Sequence, residues 1–304
     1  MIKMASNIRR LGVLVALTAV LLLGVVLLAL SYTEVGIASE IGTGGLPLST
    51  YDLSAVPQSV VEDATRVAME LFGDYQEKYE DFANQLLATY VEAKDKDFVV
   101  IFNAGGWGWN LLETSPGWHS IFAGIEAELD NLGYTSLLLD YQRTSEDWRG
   151  IIDEGVEMIT SYPAKAKELA CRVEFLTEHV PDLRVIVTGE SDGTVISDRT
   201  MNILQDNPQV YSIRTGPPFW HKPIMLDRTL LLDNNGRTPD SFSRGDIPAM
   251  LWASLKDLLG LPQPEEESGR ILKFLRAPGH DYRWQYPHVY SQITNFLEEN
   301  FGLK

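Results

Sequence analysis

The sequence predicts an α/β fold built on a doubly wound, mostly parallel sheet. The main observation is a series of short apolar runs that suit strands buried on both faces. They span residues 98–102, 135–139, 184–188, 210–214, 229–232 and 271–275. Segments with the helical spacing of apolar residues separate most of these runs, as parallel neighbours require. Because sites in such sheets lie beyond the carboxyl ends of the strands, functional residues are expected directly after the runs.

An uncharged run of 20 residues, from Leu11 to Leu30, follows a basic N-terminal stretch. A helix of this length crosses the hydrocarbon core of a bilayer, and basic residues keep the preceding end cytoplasmic. We expect residues 1–31 to form a cytoplasmic tip and transmembrane anchor, with the rest of the chain extracytoplasmic. The alternative is a signal peptide cleaved after Ser31 or Ser39, which would make the protein secreted.

The sequence changes character twice before the first predicted strand. Residues 32–56 are rich in glycine and predict an irregular linker. From Ser59 to Glu92 apolar residues recur at steps of three and four, which predicts a long amphipathic helix or a pair broken near Gly73. We expect one α/β domain over residues 57–304, with a helical extension over 57–96. This extension covers a flank of the domain or, alternatively, forms a homo-oligomer contact.

Composition excludes one class of function. The net charge is -17, from 42 acidic and 25 basic residues, so no basic surface is available for general nucleic-acid binding. The single cysteine, Cys171, permits no intrachain disulfide. No metal and no organic cofactor is expected.

The stretch from Val185 to Gly193 reads Val-Ile-Val-Thr-Gly-Glu-Ser-Asp-Gly. An apolar strand leads directly into Gly-x-Ser-x-Gly, and a helix-like segment follows. In this setting the pattern is typical of a nucleophile elbow, in which the flanking glycines let the chain reverse sharply and expose the serine hydroxyl. Ser191 is therefore the candidate nucleophile. A plain strand-to-helix turn rich in small residues is the alternative.

A glycine-rich loop, Asn-Ala-Gly-Gly-Trp-Gly, follows the first strand over residues 103–108. An acyl-transfer site needs backbone N–H groups that stabilise the oxyanion of the tetrahedral intermediate. The expected donors are the amide of Asp192 and that of Gly105 or Gly106, with Trp107 lining the substrate site beside them. A phosphate-binding loop is the alternative, but this loop lacks the Gly-x-Gly-x-x-Gly pattern.

A serine nucleophile needs a histidine base. His280 follows the last predicted strand through an Ala-Pro-Gly turn, so it would point back toward the serine and is the preferred base. His288, at the start of the last helix, is the rival. His221 follows an earlier strand and would line the pocket, whereas His119 and His179 fall in helical segments and are expected at the surface or in packing.

The acid that orients the histidine should follow the strand at residues 229–232. The loop over residues 233–246 holds three aspartates. Asp233 is close to the strand, and Asp246 suits the N-cap of the next helix. Asp240 is therefore the preferred acid, and the other two remain open.

Gly-Glu-Ser-Asp-Gly, an Asn-Ala-Gly-Gly-Trp loop before it and Ala-Pro-Gly-His after it, each following a strand, together resemble the α/β-hydrolase superfamily over residues 97–302. The resemblance implies the chain order serine, acid, histidine behind an oxyanion loop, which Ser191, Asp240 and His280 obey. Asn103–Ala104 departs from the His-Gly that the family usually has in that loop, and the acid matches no fixed motif.

Five tryptophans fall at or near predicted strand ends, and they indicate either an aromatic-walled pocket for an apolar acyl or alkyl group or simple packing of loops. They are Trp107, Trp109, Trp148, Trp220 and Trp284. The sequence thus predicts a membrane-anchored serine hydrolase of esterase or lipase type, which cleaves a small-molecule carboxylic ester or related acyl compound through an acyl-enzyme. The alternative is a non-catalytic binding or scaffold protein of the same fold at the membrane surface.

Overall fold

The computed structural model describes residues 40–42, 51–262, 269–272 and 275–302. Six strands form a sheet in the order β1-β3-β2-β4-β5-β6, and β7 and β8 form a separate antiparallel pair. Strands β2 to β6 run parallel, while β1 is antiparallel to β3. The strands are β1 (Glu40–Gly42), β2 (Phe98–Asn103), β3 (Ser136–Gln142), β4 (Arg184–Glu190), β5 (Val210–Thr215), β6 (Thr229–Leu232), β7 (Arg270–Leu272) and β8 (Leu275–Arg276).

Helices cover both faces of this sheet, which gives a three-layer α/β architecture. Within the described residues the α-helices are α1 (Gln58–Phe72), α2 (Gln76–Ala93), α3 (Pro116–Asn131), α4 (Trp148–Thr160), α5 (Pro163–His179), α6 (Asp192–Ile203), α7 (Ile247–Leu258) and α8 (Pro287–Phe301). Helices α1, α2, α5 and α6 pack on one face, and α3 and α8 pack on the other. The predicted α/β class with a mostly parallel sheet is confirmed.

The central strand β2 shows why the apolar runs are continuous. All six of its residues are buried. Successive side chains of a strand point to opposite faces, so Val99 and Ile101 enter one core and Phe98, Val100 and Phe102 enter the other. A strand with a core on each side has no solvent face on which polar residues would alternate.

The helical extension is a pair, α1 and α2, separated at Gly73, which has a φ of +62°. The apolar faces of both helices are buried in the core, including Phe72 and Phe82, whose rings lie 5.3 Å apart. The extension therefore covers a flank of the sheet. A homo-oligomer contact through residues 57–96 would have to use the outward faces, where Met69 and Tyr75 are exposed.

Two predicted segments differ from the structure. Of the expected last strand at residues 271–275, the described residues 271, 272 and 275 belong to the β7–β8 pair and not to the six-stranded sheet. The segment expected to be an irregular linker contains β1, which pairs with the edge strand β3, and a short 3-10 helix at Leu53–Ala55. Strand β1 supplies hydrogen-bond partners to an edge that would otherwise be open.

Among the described residues, no helix is both long enough and apolar enough to span a membrane. The expected anchor over residues 1–31, including the uncharged run from Leu11 to Leu30, lies outside the described residues.

Candidate active site

The serine turn between β4 and α6 has the strained backbone that an elbow requires. Ser191 takes φ +52° and ψ -118°, a conformation that costs a non-glycine residue about 1–3 kcal/mol. The two flanking glycines leave no room for a side chain: a Cβ on Gly189 would lie 2.6 Å from the Gly193 carbonyl oxygen, and one on Gly193 would lie 2.1 Å from that of Asn103. Tight packing of the turn against β2 therefore holds the serine in its strained conformation.

His280 and Asp240 form a buried pair, with His280 Nδ1 at 2.8 Å from Asp240 Oδ2. The loops that carry them are joined by further hydrogen bonds. Asn235 Nδ2 donates to the carbonyl of Gly279 at 3.1 Å, and the Ser241 amide donates to the carbonyl of Pro278 at 2.9 Å. These hydrogen bonds between the two loops position the pair. The strand that comes directly before His280 is β8, which pairs with β7 and not with the main sheet.

The Asp240 carboxylate accepts several hydrogen bonds besides the one from His280. Its donors include the Tyr282 hydroxyl at 2.8 Å, the Ser243 hydroxyl at 3.0 Å and the Phe242 amide at 2.9 Å. Burial alone would raise the pKa of Asp240, but the charge of His280 and these hydrogen bonds lower it below its ordinary value. Asp240 is therefore held as a carboxylate, the form that orients an imidazole.

The electrostatic surroundings of His280 favour its protonated form. Burial disfavours the imidazolium, but the Asp240 charge and hydrogen bond, together with the charges of Glu190 and Asp192, outweigh it and raise the pKa of His280. With Nδ1 turned to Asp240, Nε2 is the nitrogen left to exchange a proton with a nucleophile.

Ser191 and His280 each lie beside the end of β5. The Ser191 amide donates to the Thr215 carbonyl at 3.0 Å, and the next residue, Gly216, lies so close to His280 that a Cβ there would be 2.6 Å from the ring Cε1. No hydrogen bond joins the serine hydroxyl to His280 among the described residues, and Ser191 is only 5% exposed. Such hydrogen bonds commonly tighten only in the complex with substrate.

The rival residues lie elsewhere. Asp246 caps α7 by accepting a hydrogen bond from the Ala249 amide at 3.1 Å, as its N-cap pattern predicts. Asp233 is exposed. His288 packs against Gly236, where a Cβ would approach the His288 Cβ to 2.3 Å. The structure pairs none of the three with the members of the buried His280–Asp240 pair.

The remaining histidines have other partners. His221, expected to line the pocket, has its Nε2 at 2.9 Å from Asp198 Oδ2, and burial together with Arg214 lowers its pKa to about 4. His179 Nε2 lies 2.8 Å from Asp63 Oδ2. His119 is exposed.

The glycine-rich loop lies directly beside the serine. A Cβ on Gly105 would be 3.0 Å from the Ser191 Cβ. Gly106 lies beside Asn110, whose Nδ2 would be 3.2 Å from a Cβ on Gly106. Asp192 is the first residue of α6, so its amide lies outside the hydrogen-bond ladder of the helix. The amide of Asp192 is therefore one candidate oxyanion donor. The amide of Gly105 is the other, and in this structure it donates to the carboxyl of Glu190, which it would have to leave in order to bind an oxyanion.

A buried arginine, not identified from the sequence, holds this loop in place. Arg143 Nη1 donates to the Ala104 carbonyl at 2.6 Å, and its Nη2 donates to the Gly106 carbonyl at 2.9 Å and to Glu154 Oε1 at 2.7 Å. Arg143 and Glu154 are both fully buried. The available sequence signals were the position of Arg143 directly after the β3 strand and the two glutamates, Glu154 and Glu157, in a following helix segment that is rich in isoleucine.

Asp192 also presents a buried carboxyl to this region. Burial and the charge of Glu154 raise its pKa to about 6, while Arg143 and His280 act in the opposite direction. Within the described part of the chain, its Oδ1 has no hydrogen-bond partner. The hydroxyl of Tyr162 lies near Glu154, and burial together with that carboxylate raises the pKa of Tyr162. A polar cluster therefore lies beneath the oxyanion loop.

The five tryptophans do not form one pocket wall. Trp107 and Trp109 stack on each other, with ring centroids 5.0 Å apart. Trp148 and Trp220 are exposed. Trp284 packs against Tyr290 and the backbone of α3, so for this residue the packing interpretation is correct.

One group of side chains in the described residues is close enough together to hold a metal ion. Ligand atoms of Asp63, Glu178 and His179 lie within 4.8 Å of one another. Asp63 already contacts His179 and Arg66, so two of the three groups have partners without a metal ion. The cluster lies at the packed flank formed by α1 and α5, and it contributes nothing to the serine site.

No protein-family model matches the sequence, and no curated protein matches it. A solved structure similar to this chain is that of Trichoderma reesei cutinase in complex with a C11Y4 phosphonate inhibitor. It is 13% identical, the match covers 59% of this chain and 77% of the cutinase chain, and the TM-score is 0.33. At that TM-score the likeness does not bear on the activity of this chain.

Proposed function

We propose that this protein is a serine hydrolase of the α/β-hydrolase type that cleaves a carboxylic ester or related acyl compound. The observation that carries the proposal is the buried His280–Asp240 pair, 2.8 Å between Nδ1 and Oδ2, beside the strained Ser191. Structural serines rarely take such a backbone conformation, and the order of the three residues along the chain matches the superfamily.

The mechanism follows from these positions. Ser191 Oγ attacks the acyl carbonyl carbon while its proton passes to His280 Nε2, and Asp240 stabilises the resulting imidazolium. The amides of Gly105 and Asp192 would donate to the oxyanion. Collapse of the intermediate expels the alcohol, which takes the proton from Nε2. Water then attacks the acyl-enzyme by the same route and releases the acid and the free serine.

The location proposed for this activity is the outer surface of the cytoplasmic membrane. The support is the uncharged run from Leu11 to Leu30 behind basic residues, which suits an anchor that leaves the catalytic domain extracytoplasmic. Cleavage of that segment would instead release a secreted enzyme acting on the same small-molecule acyl substrates.

A panel of p-nitrophenyl esters of graded acyl length tests the proposal on the full chain. Ser191→Ala should abolish turnover of every ester that the wild type hydrolyses, whereas Ser291→Ala, which alters a remote hydroxyl in α8, should leave it unchanged. No turnover of any ester would favour the non-catalytic binding or scaffold protein. Equal turnover by wild type and Ser191→Ala would assign the activity to another residue.

A further inference from the structure

Two helices of this fold expose large apolar side chains to solvent. Helix α4 buries Gly150, Glu154 and Glu157. Its exposed side chains include, beside Arg149, the large apolar residues Trp148, Ile151, Ile152 and Ile159. Surface helices normally show the opposite arrangement. A contiguous exposed apolar face marks a contact with another molecule.

Helix α7 also exposes most of its large apolar side chains. It buries only Met250 and Ala253, which face the β7–β8 pair and Phe242. Its outward side forms a nearly continuous apolar stripe: Ile247, Leu251, Trp252, Leu255 and Leu258, each at least 43% exposed.

The inward sides of these two helices connect to different parts of the candidate active site. On the oxyanion side, the inner face of α4 supplies Glu154, which pairs with the Arg143 that holds the glycine-rich loop. On the histidine side, Phe242 packs against Met250 of α7, and its ring centroid lies 5.0 Å from that of His280.

Two further exposed aromatic residues extend the histidine side. Phe219 and Trp220 follow β5, are 48% and 51% exposed, and contact Phe242 with ring centroids 6.3 and 5.2 Å away. We call the exposed apolar residues of α4 and α7, together with Phe219 and Trp220, the apolar rim.

The chain enters the domain at the carboxyl edge of the sheet, where the candidate active site also lies. Glu40 of β1 pairs with Gln142, the last residue of β3, so β1 begins at the carboxyl edge of the sheet. Leu30 and Glu40 are ten positions apart, and an extended chain of that length spans at most about 35 Å. An anchor ending at Leu30 would therefore keep the start of β1, at the carboxyl edge of the sheet, within about that distance of the bilayer.

Cations accompany the exposed tryptophans of the rim. Arg149 lies over the Trp148 ring at 5.4 Å, and Lys256 lies over the Trp252 ring at 5.8 Å. Tryptophan rings and basic groups are the side chains that favour the headgroup region, where the ring reaches the acyl boundary and the cation meets phosphate.

We propose that the apolar rim docks on the surface of a lipid bilayer, so that the candidate active site faces the membrane. The inference rests on the membrane attachment under the proposed function and not on hydrolysis. Partial insertion of α4 and α7 would bury the apolar faces that the fold leaves in solvent.

Fluorescence quenching by lipid tests this docking. Single-cysteine variants of the full chain, on a Cys171→Ser background, carry a bimane probe and are reconstituted one copy per nanodisc of phosphatidylcholine and phosphatidylglycerol with nitroxide-labelled acyl chains. Leu251→Cys reports on α7 and Ile152→Cys on α4. Ile203→Cys is the matched control, because Ile203 is 50% exposed at the far end of α6.

Docking predicts that the nitroxide lipid lowers the emission of the Leu251 and Ile152 probes at least about twofold, as expected for groups at the acyl boundary, and leaves the Ile203 probe unchanged. Equal emission at all three positions in a chain that is inserted in the nanodisc would overturn the docking and leave the attachment standing. A rim probe that is shielded from water but is not quenched by the nitroxide lipid would indicate that a protein partner covers the rim, and this would overturn the proposal. Failure to associate with lipid at all would overturn both.

Discussion

His280 Nδ1 lies 2.8 Å from Asp240 Oδ2, and the same carboxylate oxygen accepts hydrogen bonds from Tyr282 and Ser243. This arrangement fixes the imidazole with Nε2 directed away from the acid. It also keeps Asp240 ionised, since its pKa is lowered. Both effects are requirements of a serine hydrolase, and each can be perturbed separately.

Asp240→Asn should keep the geometry but favour the wrong imidazole tautomer. The expected loss in kcat is about four orders of magnitude, the scale known for this change in a catalytic triad, with the chain still folded by circular dichroism. Asp233→Asn is the matched control, because Asp233 is exposed and should tolerate the change. Similar activity of the two variants would remove Asp240 from the mechanism.

The pH profile of kcat/KM should show the environment of His280. Neutral imidazole is the active base, so activity falls as the pH drops through its pKa, and Asp240, Glu190 and Asp192 raise that pKa. The acid limb should therefore lie above the ordinary histidine value of about 6.5. Asp192→Asn removes one of these charges and should move the limb to lower pH. A limb unmoved, or moved upward, would show that Asp192 does not act on the base.

Gly105→Ala should lower kcat while the fold is retained. The added methyl group would lie 3.0 Å from the Ser191 Cβ and 3.2 Å from the Glu190 carbonyl oxygen, so the loop must shift and carry its amide away from the oxyanion. Loss of one such donor costs about 100- to 1,000-fold in kcat. Gly155→Ala is the control: nothing lies within 4 Å of its Cβ, and alanine favours the helix by up to about 1 kcal/mol. Full activity of Gly105→Ala would exclude this amide as a donor.

Arg143→Met should destabilise the protein because it leaves Glu154 as an uncompensated buried charge. Removing one partner of a buried ion pair costs about 3–5 kcal/mol in the free energy of unfolding. The double variant Arg143→Met, Glu154→Met should recover much of that stability, yet remain poorly active, since the Ala104 and Gly106 carbonyls lose their donor. Urea unfolding and ester turnover measure the two effects. A double variant as active as the wild type would show that Arg143 does not position the loop.

Much of the fold is readable from the sequence because the central strands carry cores on both faces. The continuous apolar runs around Val99 and Ile186 have that cause, as does the elbow at Ser191, where local sterics demand glycine. The pairing of Asp240 with His280 joins two loops that are 40 residues apart, so local sequence does not determine it. The sequence narrowed the acid to three aspartates by chain order alone, and contacts between the two loops, such as Asn235 to Gly279, select among them.

Other features follow from tertiary contacts that leave little pattern in the sequence. Arg143 binds the carbonyls of the glycine-rich loop from a position directly after a strand, and Glu154 is buried on a helix that exposes Trp148, Ile151, Ile152 and Ile159. Apolar residues of a surface helix normally face inward, and α4 departs from that rule at these four positions. The β7–β8 pair is separate from the main sheet because its strands are short and pair with each other.

Labelling with a fluorophosphonate probe, with the adduct located by mass spectrometry, shows whether Ser191 is a nucleophile that His280 activates. We expect one adduct, on Ser191, that is lost in Ser191→Ala and forms much more slowly in His280→Gln while both variants remain folded. Labelling that is equally fast in wild type and Ser191→Ala, or an adduct on another residue, would contradict this expectation.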